Sequence, residues 1–317
     1  MLQTKTGLEP LPFPTEYDWN RMTDESATRF QRTTFQAKSR GGFSLIELLV
    51  VIAIIGILAA MLLPALNSSK SRTQGLWCMN NHRQLAIAWR MYSDDNQDRL
   101  LYASEYPWDP STYDAAWITG TLDPNNPGRD NWDPELTIKK SPMWPYTGKN
   151  LSIWKCPADR SYVTVDGEQK PRVRSMSMNV FLGGWGGTYG NWDYYMGRVW
   201  SDFKIYMKQP ELANPGPSKI FVFLDMREDS IDMGNFATAM AGWPNNPSEH
   251  RFFDLPGYLH HNACGFSFAD GHSEIKRWRD PRTMPPIVRN GLVNDSFNCP
   301  TNQDVMWLQD HATRPKK

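Results

Sequence analysis

Residues 43–63 read FSLIELLVVIAIIGILAAMLL, 21 residues in which Glu47 is the sole charge. At 1.5 Å per residue a helix over this run is about 30 Å long, the thickness of a bilayer's hydrocarbon core. Secretory signals carry a shorter apolar core, roughly 7–15 residues, and then a small-residue cleavage site. Here Ala59 and Ala60 are followed by Met-Leu-Leu-Pro rather than by a polar mature start. A membrane-spanning helix is therefore expected, and a plain signal anchor is its simplest form. Glu47 speaks against that form. A carboxylate just inside a lipid-facing helix is costly, and the macrodipole of the first turn relieves it by only about 0.3–1 kcal/mol. The charge calls for a partner.

The rest of the chain is of another kind. Its 317 residues carry 34 basic and 34 acidic side chains, and zero net charge argues against a nucleic-acid binder, which needs a basic face to meet phosphates. With 40% hydrophobic residues, and with Trp, Phe, Tyr, Pro and Gly all plentiful, a folded, turn-rich globular body is expected.

The run is preceded by Lys38-Ser39-Arg40-Gly41-Gly42 and opens on Phe43-Ser44-Leu45-Ile46-Glu47. In these residues the chain resembles the type IV prepilins and the pseudopilins of type II secretion. The resemblance implies cleavage by a membrane prepilin peptidase between Gly42 and Phe43, and N-methylation of Phe43. It implies that Glu47 pairs with the terminal amine of a neighbouring subunit during filament assembly, which supplies the missing partner. Pro64 matches the proline that kinks the family's long helix. A 42-residue leader containing Glu16, Asp18, Asp24 and Glu25 is longer and more acidic than the family's usual one, so translation from Met22 is expected. Basic residues flank both ends of the span, and the N-in orientation is implied by the resemblance.

Beyond Pro64, Cys78, Leu85, Ala88 and Tyr92 recur with helical period, with Trp77 and Trp89 beside them. A helix from Phe43 to about Ser93 is predicted, with Gly75 as its weak point and the stripe as the face that meets a globular head. Asp94, Asn96, Asp98 and Glu105 fall at positions one, three, five and twelve of a calcium-loop template, but Arg99 stands where the loop needs Gly. A solvated helix exit is preferred to a metal loop, so no cofactor is expected, with calcium here as the alternative. Asp225, Glu228, Asp229 and Asp232 follow a strand and are read as a solvated surface in preference to a second calcium site.

In the head, Met176, Met178 and Val180 alternate with polar residues, predicting a half-buried strand, and the run Ile220–Leu224 predicts a strand buried on both faces. GGWGGTYGNWDYY from Gly183 lacks a phosphate-loop lysine and reads as an ordered aromatic loop. Asp270-Gly271 predicts a hairpin with a two-residue turn, pairing Phe268 with Ser273 and Phe266 with Ile275, and placing Phe266, Phe268 and Ile275 on one face. His260, nine residues and then Asp270-Gly271 resemble the H-x9-DG signature of prepilin-like proteins in planctomycetes and verrucomicrobia. Cys78-Met79-Asn80-Asn81-His82-Arg83-Gln84-Leu85 fits the same resemblance. His260, His272 and Asp270 could serve a tethered hydrolase, but they lack metal-helix spacing and no nucleophile elbow is present. A histidine tying a loop to the hairpin is preferred. The tryptophans leave open a polysaccharide- or surface-binding module that uses the prepilin signal for delivery.

If the head is translocated, Cys78, Cys156, Cys264 and Cys299 meet an oxidising space. They allow three fully paired connectivities. Cys78 with Cys156 is favoured, because it would staple head to stalk. The expectation is thus an α+β, pilin-like protein: leader 1–42, membrane half of the helix 43–66, stalk 67–96 and β-rich head 97–317. It is expected to be a non-catalytic subunit, single-pass in the inner membrane with its N-terminus cytoplasmic and its head periplasmic or extracellular. Its expected partners are prepilin peptidase, other pseudopilins and the secretion or pilus platform in that membrane.

Overall fold

The structure is a computed structural model that describes residues 44–125, 128–188, 201–289 and 291–316. The chain divides into two units, Met1–Ile57 and Leu58–Lys317.

Helix α1 spans Leu45–Asp95, two residues later at each end than the predicted helix. Its start is set by chemistry. The Ser44 hydroxyl accepts the Glu47 backbone N–H at 3.2 Å, and the Glu47 carboxylate accepts the Ser44 N–H at 2.9 Å. This reciprocal capping box satisfies donors that the first helical turn leaves without partners. Leu45–Leu63 is long and apolar enough to cross a membrane, and none of it is buried.

Within the second unit, Cys78, His82, Leu85 and Trp89 succeed one another at helical spacing and are all fully buried, as is Ala88. Trp77 faces outward. The stripe is therefore the buried face of α1, with His82 as an unforeseen polar member.

It packs on a five-stranded sheet. Strands β1 (Tyr162–Val165) and β2 (Glu168–Pro171) form a separate ribbon, as do β6 (Arg251–Phe252) and β9 (Phe297–Asn298). The main sheet has the order β5 (Asn235–Phe236), β3 (Met176–Asn179), β4 (Phe221–Asp225), β7 (Ala263–Phe268), β8 (Ser273–Arg277). β5 runs parallel to β3, and the other pairs are antiparallel. On one face, Met176, Met178, Val222 and Phe223 pack with Leu85, Ala88 and Trp89 of α1. On the other, Phe221, Leu224, Phe266 and Phe268 pack with Val305 and Leu308 of helix α2 (Gln303–Ala312). A register shift between Phe221 and Phe223 puts Val222 and Phe223 in the same cluster. Among the described residues, two α-helices and a central sheet make the α+β architecture read from the sequence.

β4 is buried on both faces, as its apolar run implies. Two expectations need correction. β3 is buried throughout rather than half-buried. The polar positions of its alternation are held inside, where the Asn179 amide donates to the Phe221 and Ala312 carbonyls at 3.0 and 2.9 Å. The β7–β8 hairpin is offset by one residue from its prediction, pairing Ser267 with Ser273, Phe266 with Glu274 and Gly265 with Ile275. Gly271 N–H donates to Phe268 C=O, and Phe268 N–H to His272 C=O, each at 2.9 Å. Only Gly271 of the Asp-Gly pair has positive φ, +93°. The loop is thus a type I turn closed by a glycine bulge rather than a primed two-residue turn. Ile275 moves to the face opposite Phe266 and Phe268. There its Cδ1 lies 3.0 Å from where a Cβ on Gly75 would sit, so the glycine read as a weak point is a site of close helix–sheet approach.

Candidate functional site

Gly42 and Phe43 lie outside the described residues, as does Met22. Glu47 is exposed in the first turn of α1. Its Oε2 caps the Ser44 amide, and among the described residues Oε1 has no partner. The carboxylate is thus oriented at the helix start with one oxygen free to accept from a second chain. The Ser-x-x-Glu spacing carries the signal for this cap, which the sequence reading passed over. The helix runs on through position 64.

The other constellation lies where α1 crosses the sheet. Asp225 ends β4, where alternation turns its side chain toward the helix and not into a solvated acidic surface. It is 1% exposed. The Cys78 thiol, from α1, donates to its Oδ2 at 2.9 Å, and the Gly265 amide, from β7, donates to the same oxygen at 3.2 Å. Nε2 of His260, in the turn before β7, lies 3.7 Å from Oδ2 and 3.2 Å from the Cys156 sulfur. Nε2 of His82 lies 3.4 Å from Oδ1. Cys264 donates its thiol to the Asp225 carbonyl at 3.1 Å. One ligand atom from each of Cys78, Cys156, Asp225 and His260 lies within 4.8 Å of the other three, and all four residues are buried.

Burial works against the charge on Asp225, but His82 and His260 outweigh it and hold the carboxyl well below the usual carboxylate range. Burial alone would lower the His260 imidazole. Asp225 and Cys156 reverse that and raise it to about 10. The neighbouring Cys78 lowers the Cys156 thiol against the effect of burial. Burial, then the contact with Cys156, pushes the Cys78 thiol up. Both ring nitrogens of His82 and Nδ1 of His260 are buried without a hydrogen-bond partner.

A cysteine-nucleophile relay needs the acid on one imidazole nitrogen and the thiol on the other. Here Asp225 and Cys156 both converge on Nε2 of His260, and Cys156 is 1% exposed. The geometry suits a shared central ligand better than proton relay. Neither His82 nor Gly265 was assigned a role from sequence, although His82 falls on the stripe between Cys78 and Leu85.

The remaining candidates stand elsewhere. His272 and Asp270 sit at the hairpin, where Asp270 Oδ1 accepts the His272 N–H at 3.1 Å and meets its Nδ1 at 2.6 Å. They serve the turn and do not join His260. Asp229 is fully buried against Arg227 and the Val288 amide, and Glu228 pairs with Arg289. At the helix exit Asp94 and Asp98 are exposed, and Asn96 donates to the Tyr92 carbonyl at 2.7 Å. Glu105 is buried, accepting from Ser104 and the Gly120 amide. Cys299 accepts from Asn302 at 3.1 Å. Of the aromatic loop, 183–188 is described, and Trp185 meets Tyr106 and Trp108 edge-on.

Comparison with known proteins bears on the first of these sites. The prokaryotic N-terminal methylation motif matches residues 37–63. The chain is 31% identical over 111 residues to the type II secretion system core protein G of Pseudomonas aeruginosa, a match spanning 35% of this chain and 71% of that protein. It is 39% identical over 101 residues to the type IV major fimbrial protein FimA of Dichelobacter nodosus, spanning 29% of this chain and 60% of that one. No solved structure matches the chain.

Proposed function

The chain belongs to the family of the type II secretion system core protein G, and from that premise we propose that it is a non-catalytic, pseudopilin-like subunit of a secretion or pilus filament. In this reading a prepilin peptidase cuts between Gly42 and Phe43 on the cytoplasmic side and Phe43 is methylated. Until assembly the protein is held single-pass in the inner membrane, N-terminus inward and head beyond. Subunits then join through the apolar half of α1, with neighbouring pseudopilins and the membrane platform as partners. We also place the chain in the H-x9-DG branch of prepilin-like proteins, on the strength of His260 and of Asp270-Gly271 closing the β7–β8 turn.

The observation that carries the reading is the methylation motif running directly into a capped, membrane-length helix with one acid. A free Glu47 oxygen at the helix start can neutralise the terminal amine of a neighbour, which removes the cost of carrying that charge into lipid. The relatives matched, a secretion core protein and a fimbrial protein, support a structural subunit.

Glu47→Gln tests the assembly step. Gln keeps the capping box but removes the charge, so cleavage should proceed normally while incorporation into filaments falls at least about tenfold, a loss of 1.4 kcal/mol or more. Normal incorporation of this variant, measured by shearing and immunoblotting, would overturn the mechanism.

A further inference from the structure

We propose that Cys78, Cys156, Asp225 and His260 form a binding site for a divalent transition-metal ion of the zinc class, which ties the stalk helix to the head. Two thiolates and an imidazole select a borderline-soft ion, and one carboxylate oxygen completes a set of four. Around a tetrahedral zinc with ordinary bond lengths, ligand atoms lie about 3.3–3.8 Å from one another. Here Cys156 Sγ to His260 Nε2 is 3.2 Å, and His260 Nε2 to Asp225 Oδ2 is 3.7 Å. Cys78 Sγ to Asp225 Oδ2 is 2.9 Å, and the whole set fits within 4.8 Å. An ion at the centre requires the Cys78 sulfur and Asp225 Oδ2, and the Cys156 sulfur and His260 Nε2, to separate by a few tenths of an ångström.

The surroundings are those of a metal site. Asp225 Oδ1 faces His82 Nε2 at 3.4 Å, the position that an outer partner of a coordinating carboxylate occupies. Gly265 lets β7 approach so closely that a Cβ there would lie 2.7 Å from the His82 ring. Cys156 also lies beside an open groove lined by Trp77, Asn81, Gln84 and Lys155. On binding, the two thiol protons and the proton on His260 Nε2 leave for solvent. Two thiolates, one carboxylate and a divalent ion leave a net charge of about −1.

The four ligands come from α1, the segment after Trp154, the end of β4 and the turn before β7. Joining elements so distant in sequence constrains the unfolded chain strongly. The same two sulfurs could instead form the disulfide expected from sequence, and the experiment separates the two.

The full-length chain, without a polyhistidine tag, is purified in detergent without chelator. Metal content is measured by mass spectrometry, and the chelator-stripped, reduced protein is titrated with cobalt(II). About one zinc per chain is expected, together with the ligand-field and sulfur-to-cobalt absorption of tetrahedral thiolate coordination. His82→Asn should weaken cobalt binding about 10–100-fold with the spectrum retained, whereas Cys156→Ser should lose the sulfur band in proportion. Cys299→Ser should change nothing. A metal-free protein two hydrogens lighter, with Cys78 joined to Cys156, overturns the proposal. So does a metal-free dithiol that gives no sulfur-to-cobalt band, or binding that survives Cys78→Ser with Cys156→Ser unchanged. The readouts are taken on precursor in detergent, so they are independent of cleavage and assembly.

Discussion

At Gly265 a single hydrogen decides whether β7 can lie against the stalk. A methyl there would meet the His82 ring at 2.7 Å and Asp225 Oδ2 at 3.0 Å. Overpacking of this kind costs about 1–3 kcal/mol, so Gly265→Ala should lower Tm measurably, and an unchanged melt would contradict the close packing. Asp254 gives a pH-dependent case. Burial first, and then the charges of Asp232 and Asp295, push its carboxyl well above the usual range. An acid whose folded pKa is raised stabilises the fold while protonated, and this contribution is lost as pH rises from about 4 through the folded value. Asp254→Asn keeps an acceptor for the Ala237 N–H and should melt higher than wild type near pH 7. Thermal melts should show that gap closing toward about pH 4; a gap that widens on acidification would reverse the sign of the argument. Little of this is legible in the sequence. Asp225 sits in a run of acids that looks like surface, and only its position at the end of β4 turns it inward. The spacing from Cys78 to His82 to Leu85, by contrast, puts the histidine on the buried stripe without any structure.

Among the elements, those governed by local periodicity were readable and those governed by a partner were not. The long helix, its buried stripe and the double-sided burial of β4 follow from period and composition. The hairpin does not follow fully, because Asp-Gly serves both a primed turn and a type I turn with a glycine bulge. One residue of loop length moves Ile275 to the opposite face, against Gly75. That contact makes an element-scale prediction. Gly75→Val would drive a branched side chain into Ile275, 3.0 Å from the new Cβ, and toward the His260 ring at 3.7 Å. Hydrogen exchange should show β8 opening more readily than in wild type, although helix propensity alone favours Val slightly over Gly. Unchanged protection would mean that the helix and β8 are not in contact.

For the whole molecule, the neutral, aromatic-rich composition describes the head and conceals the segment that defines the protein. The span Leu45–Leu63, Glu47 and the match over 37–63 tie this chain to proteins of secretion and pilus assembly. The metal-ligand cluster was out of reach of sequence, because Cys78 of the stalk and Cys156, Asp225 and His260 of the head come from separate elements and follow no spacing motif. Blocking processing should leave the protein in the membrane as precursor: Gly42→Val should stop cleavage, read as retention of the longer form on a gel, and full maturation would place the cut elsewhere. The most direct test of the central claim is mass spectrometry of the mature N-terminus from membranes that contain prepilin peptidase. N-methylated Phe43 is the expected terminus. An intact leader, or a cut on the far side of the apolar run, would contradict the account.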